Sequence, residues 1–148
     1  MAIYMIEQDT IRLLRECDSG AKMGVQSIDD VMDYVHDDRL RRSLDDCRRA
    51  HAALGEEIRD RLDRFGDEGK DPNPIAKGMS WLKSKGMLAV NGSDSTVADL
   101  MTDGCGMGVK SLSRYLNEYE AAEEYAKDIA KRLIRLEDAL MTDVRAYL

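Results

Sequence analysis

The segment GAKMGVQSI begins at Gly20 and returns as GCGMGVKSL at Gly104, 84 positions further on, with five of the nine residues identical. A chain that resembles itself at a fixed offset is read as two like units that must share one core. The pattern around each copy names the unit. Leu13, Cys17, Gly20, Gly24, Ile28, Val31 and Val35 step by four or three, which is one face of a long helix. Val97, Met101, Gly104, Gly108, Leu112, Tyr115 and Tyr119 repeat those steps. A second seam runs through Leu40, Leu44, Cys47, His51, Leu54, Ile58 and Leu62. Its counterpart, 86 positions on, is Ala126, Ala130, Leu133, Glu137, Leu140, Val144 and Leu148. The spacing predicts helices over 5–35, 38–65, 95–119 and 122–147. The short turns HDDR and YEAAEE make each helix pair an antiparallel hairpin.

Between the hairpins lie residues 66–94, too many for a simple reversal. After the turn-rich GDEGKDPNP, Asn73 and Pro74 suit the start of a short helix. Ile75, Met79 and Leu82 give it an apolar stripe with Trp81 beside it, and Gly86 or the Asn91-Gly92 turn ends it. A helix of ~30 residues is ~45 Å long, and this connector can travel that length. The third helix is therefore expected to start where the second started, with the two parallel. The expected architecture is all-α, one domain over 1–148, made of a hairpin at 5–65, a crossover at 66–94 and a hairpin at 95–148.

Composition agrees. Ala, Leu, Met, Arg, Asp and Glu dominate and there are two prolines, which favours helix. A net charge of −7 argues against non-specific nucleic-acid binding. The arginines between Arg39 and Arg64 are balanced by Asp38, Asp45, Asp46, Glu56, Glu57, Asp60 and Asp63. No stretch approaches the ~18 apolar residues of a membrane span. The opening MAIYMIEQD has acids where a secretory signal would be apolar, and the three cysteines form no CxxC pair. A cytoplasmic protein with free thiols is expected.

Two helical hairpins joined by a long crossover resemble the ferritin-like superfamily, which includes ferritins and rubrerythrins. The GCGMGVKSL segment and the helix after it are similar to uncharacterised bacterial ferritin-like proteins. The resemblance implies a di-metal centre inside the bundle, with one Glu from the first helix of each hairpin and an ExxH from the second. Two hard cations need several converging carboxylates and two imidazoles. Here His51 follows Arg48 by three, and Leu140 follows Glu137 by three, so neither is ExxH. The first and third helices carry Gly20, Gly24, Gly104 and Gly108 at the seam centre. No cofactor is expected; the alternative is iron or another divalent metal held by His51 and Glu137, with Glu57 or Asp143 assisting.

The four glycines are expected to let the first and third helices cross closely; the alternative is a close contact between subunits. GCGMG follows no predicted strand and lacks the GxxxxGK[ST] pattern, so it is not a phosphate loop. His51 and Glu137 occupy equivalent positions and are expected to face each other as a buried pair that sets register. Cys17, Cys47 and Cys105, with Met23, Met101 and Met107, contain donors suited to Cu(I), but such residues also fill helical cores. Cys47 and His51 are one turn apart, close enough to touch. No residue is assigned a catalytic role. The functional expectation is a structural or interaction bundle that self-associates, most simply as a dimer, using apolar residues such as Trp81, Tyr115 and Tyr147 outside the core. No small-molecule ligand is legible.

Overall fold

The computed structural model describes residues 2–72, 88 and 92–148. The predicted connector helix, with Asn73, Pro74, Ile75, Met79, Trp81, Leu82 and Gly86, lies outside them, as does Asn91. Four helices account for the architecture: α1 Ala2–Met32, α2 Asp38–Arg64, α3 Asp94–Glu118 and α4 Glu124–Val144. A 3-10 turn, Arg145–Tyr147, follows α4, and no strand occurs among the described residues. The predicted ends differ from these by a few residues, most at both ends of α1 and the end of α4.

Local chemistry explains the boundaries. Asp37 precedes α2 in extended conformation and its carboxylate accepts the backbone N–H of Leu40. Ser93 does the same for Thr96 at the start of α3. Both are good N-cap residues because a short side-chain oxygen reaches an otherwise unpartnered backbone donor. Past α2, Gly66 adopts φ +67°, a left-handed conformation that ends the helix cleanly.

Packing follows from the apolar seams. α1 lies against α2, α3 against α4, α2 against α4 and α1 against α3, with α1 and α4 also touching across the bundle. One core cluster joins Leu13, Leu14 and Cys17 of α1 to Ile58 and Leu62 of α2, Leu112 of α3, and Ala126 and Ile129 of α4. The other joins Ile28 and Val31 to Leu40 and Leu44, Val97 and Met101, and Leu140 and Val144, with Leu88 added. The first half of α1 thus meets the second halves of α2 and α3 and the first half of α4. α2 and α3 are parallel, as the connector length predicted.

Polar ties fix both ends. The Asp94 carboxylate accepts the backbone N–H of His36 at 2.7 Å and of Asp37 at 3.1 Å, which joins the start of α3 to the start of α2. Tyr147 donates to Asp37 at 2.8 Å beside the same junction. At the opposite end, Asp9 and Thr10 of α1 accept the backbone N–H groups of Ala121 and Glu123. After α2, the chain turns back along α1. Asp67 pairs with Arg15, the Lys70 N–H is accepted by buried Asp18, and Asp71 pairs with Lys22.

Three seam assignments need correction. Leu148 is 61 % exposed, because α4 ends at Val144 and the final turn leads out of the core. Gly104 is exposed and a methyl group there would meet nothing within 4 Å. The inward residue is its neighbour Cys105, at 4 % exposure, just as Ala21 rather than Gly20 is inward on α1, at 1 %. The seam passes through 21 and 105, one position along from the glycines.

Candidate polar centre of the bundle

Between the two apolar clusters the seams of α2 and α4 each carry one polar residue, and these meet. His51 Nε2 lies 2.9 Å from Glu137 Oε1. The His51 side chain is 1 % exposed and that of Glu137 13 %. The other ring nitrogen, Nδ1, donates to the backbone carbonyl of Cys47 at 2.8 Å, one helical turn earlier. A carbonyl can only accept, so Nδ1 carries a proton and the orientation of the ring is set. The Cys47 sulfur is a further 3.4 Å contact of Nδ1.

Space for the His51 ring comes from Gly24. A methyl group on Gly24 would stand 2.3 Å from His51 Cδ2 and 2.7 Å from Nε2. The imidazole therefore occupies the volume that any other residue at 24 would fill. On the opposite hairpin, the nearest atoms to a methyl on Gly108 belong to Glu137, the closest at 3.4 Å. Each polar side chain lies over the glycine of its own hairpin partner. This corrects the expected close crossing of α1 and α3. Gly24 and Gly108 admit side chains, not a backbone, while Gly20 has only Leu112 at 3.9 Å and Gly104 faces open space.

The electrostatics follow the geometry. Burial pulls the His51 pKa down, but the hydrogen bonds to Cys47 and Glu137 and the charge of Glu137 outweigh it and raise the pKa to about 10. Both nitrogens of the imidazolium then have acceptors, which is the arrangement a buried cation requires. Cys105 of α3 is also beside Glu137. Its burial, followed by the Glu137 charge, pushes its thiol well above the ordinary range. Burial first, with Glu16 and Asp18, raises Cys17 to about 12. Thiols held neutral in this way are poor nucleophiles. All three cysteines are free and buried.

His51 and Glu137 are thus brought together as the repeat implied. The other two named candidates are not. Glu57 pairs with Arg132 near the surface, with donor–acceptor distances of 3.0–3.1 Å. Asp143 is exposed on the last turn of α4. Arg48, three residues before His51, points away to Asp29. Sequence reading named Cys105 only as a soft-metal donor and missed its inward place beside Glu137, hidden by assigning Gly104 to the seam. The 3–4 spacing passes equally well through 101, 105 and 108, so the signal was present but ambiguous. Among the described residues, no group of three or more His, Cys, Asp or Glu is placed to hold a metal ion.

One concavity lies beside the centre. A groove of about 410 Å³ runs between α2 and α4, with buried Leu54 lining it beside Ala50, Ala53 and Leu136, and with Glu57, Arg132 and Arg135 also on its walls. No described helix is long and apolar enough to cross a membrane.

Among the described residues, the fold and site define an all-helical arrangement of four long helices with a polar pair at its middle. Comparison with protein families, with curated proteins and with solved structures finds no match to this chain.

Proposed function

We propose that this chain is a ferritin-like bundle, built from two duplicated hairpins joined by a crossover, in which a His–Glu ion pair has replaced redox metal chemistry. Its role is structural or interactive, exercised through self-association in the cytoplasm. The observation that carries this reading is the state of His51: both ring nitrogens already have acceptors, at 2.8 and 2.9 Å. The residues present are a poor match to the di-metal centre of the ferritin-like fold. The positions that would supply carboxylates from α1 and α3 are Gly24 and Gly108, which carry no side chain, and the space beside Gly24 is filled by His51. Arg48, at the ExxH glutamate position, is paired with Asp29.

The alternative is a metal-binding or redox protein with a single ion at His51 and Glu137. It draws on the Nδ1 hydrogen bond to Cys47 O, since metal-binding histidines commonly donate their second nitrogen to a carbonyl. Metal analysis of protein purified without chelator separates the two. The proposal expects substoichiometric iron, manganese, zinc and copper, unchanged in His51→Ala. Stoichiometric metal that disappears in His51→Ala would establish the alternative.

A further inference from the structure

The first helix extends beyond the bundle. Asp9 and Thr10 tie α1 to the α3–α4 turn, and every residue from Ala2 to Glu7 is exposed. Ile3 is 80 % exposed, Tyr4 66 %, Met5 55 % and Ile6 38 %. A helix that is apolar on all sides is normally a buried one. Here the apolar stripe of α1 continues towards its N-terminus after the elements that cover it have ended.

The same chain carries a complementary recess. The groove between α2 and α4 is lined by Ala50 and Ala53, whose small side chains let another helix approach closely, and by Leu54 and Leu136 as apolar contacts. Its α2 wall, from Ala50 to Glu57, is ~10 Å long, and the projecting stub from Ala2 to Glu7 is ~8 Å long. Charge also matches. Arg132 is held by Glu57 and Asp128, whereas Arg135 is exposed and pairs with no acid among the described residues. On the stub, Ile3, Ile6 and Glu7 share one helical face, and Glu7 likewise pairs with no described cation. In a chain of net charge −7, a rim with an uncommitted arginine is where an acidic second copy meets least repulsion.

We propose that the α1 stub of one copy seats in the α2–α4 groove of a second copy, with Ile3 and Ile6 against Ala50 and Ala53 and Glu7 against Arg135. Reciprocal seating about a twofold axis buries both stubs and both grooves and closes at two copies. This rests on the self-association reading and names its surfaces.

The test is sedimentation equilibrium of the full chain across concentration, with four variants at solvent-exposed or rim positions that leave the core intact. The double variant Ile3→Asp/Ile6→Asp is expected to weaken association roughly a hundredfold, as loss of two buried isoleucines implies. Ala53→Trp, which fills the groove, is expected to do the same. Arg135→Glu weakens association about tenfold, and combining it with Glu7→Arg restores it. Loss in the isoleucine variant with none in Ala53→Trp and no charge-swap rescue would mean that stub pairs with stub, and overturns the groove. Oligomers indifferent to every variant would overturn the proposal while leaving self-association standing. A wild-type monomer at all concentrations would overturn both.

Discussion

A methyl group on Gly24 would stand 2.3 Å from His51 Cδ2, inside van der Waals contact, and the imidazole has no free direction to yield because both nitrogens are bonded. Gly24→Ala is therefore expected to destabilise the fold despite alanine's better helix propensity. Gly104→Ala, which adds a methyl to open space, is expected to stabilise by about 1 kcal/mol. Urea unfolding of the two variants checks the contrast; equal stabilisation by both would remove the steric argument. Glu137→Ala leaves the buried imidazolium without its counter-charge and is expected to cost about 3 kcal/mol in the same assay. The pair also predicts a pH dependence with a definite sign. The folded pKa of His51, about 10, lies above its ordinary value of 6.5. Its contribution is thus fully present below about 6.5 and is lost as pH rises through about 10. Unfolding free energy measured from pH 6 to 10 should fall more steeply for the wild-type protein than for His51→Gln. Identical slopes would mean that His51 is neutral in the folded state.

At the scale of elements, the junction of the two hairpins depends on one carboxylate. Asp94 opens α3 while accepting two backbone donors from the α1–α2 turn. Asp94→Ala removes a favourable first-turn charge from α3 and leaves both donors to solvent. It is expected to cost about 1–2 kcal/mol. Hydrogen exchange should locate the loss at His36 and Asp37, and protection unchanged at those amides would mean that the contact carries no weight. The opposite junction uses Asp9 and Thr10 in the same manner. These ties join elements distant in sequence, which hydrophobic periodicity alone cannot specify.

For the whole molecule, the arrangement has two apolar halves with a polar layer between them. The clusters around Leu13 and Ile58, and around Leu44 and Met101, each draw on all four helices. A one-turn slip of α4 against α2 would separate His51 from Glu137 and leave a buried charge unpaired. The proposed role of the pair is therefore to fix register where two uniform apolar cores would tolerate sliding. The projecting apolar stub of α1 belongs to this scale too, since only the full bundle shows where its cover ends. Self-association that strengthens with protein concentration and raises thermal stability accordingly is expected. Thermal midpoints unchanged across a hundredfold range of concentration would count against it.

The sequence by itself determined the four helices, their pairing into hairpins and the parallel course of α2 and α3. Long 3–4 periodicity and connector length are local properties that survive without knowledge of the neighbours. It also pointed to His51 and Glu137 as a facing pair, because each is the polar residue on an otherwise apolar seam. Tertiary structure decided which side of a glycine faces inward. Glycine has no side chain whose hydropathy marks a face, so 20 and 104 could not be told from 21 and 105. It likewise decided that Gly24 makes room for a ring rather than a backbone, that Glu57 answers Arg132 at the surface, and that Cys105 joins the polar centre. Each of these depends on distances between helices, which no pattern within a single helix contains.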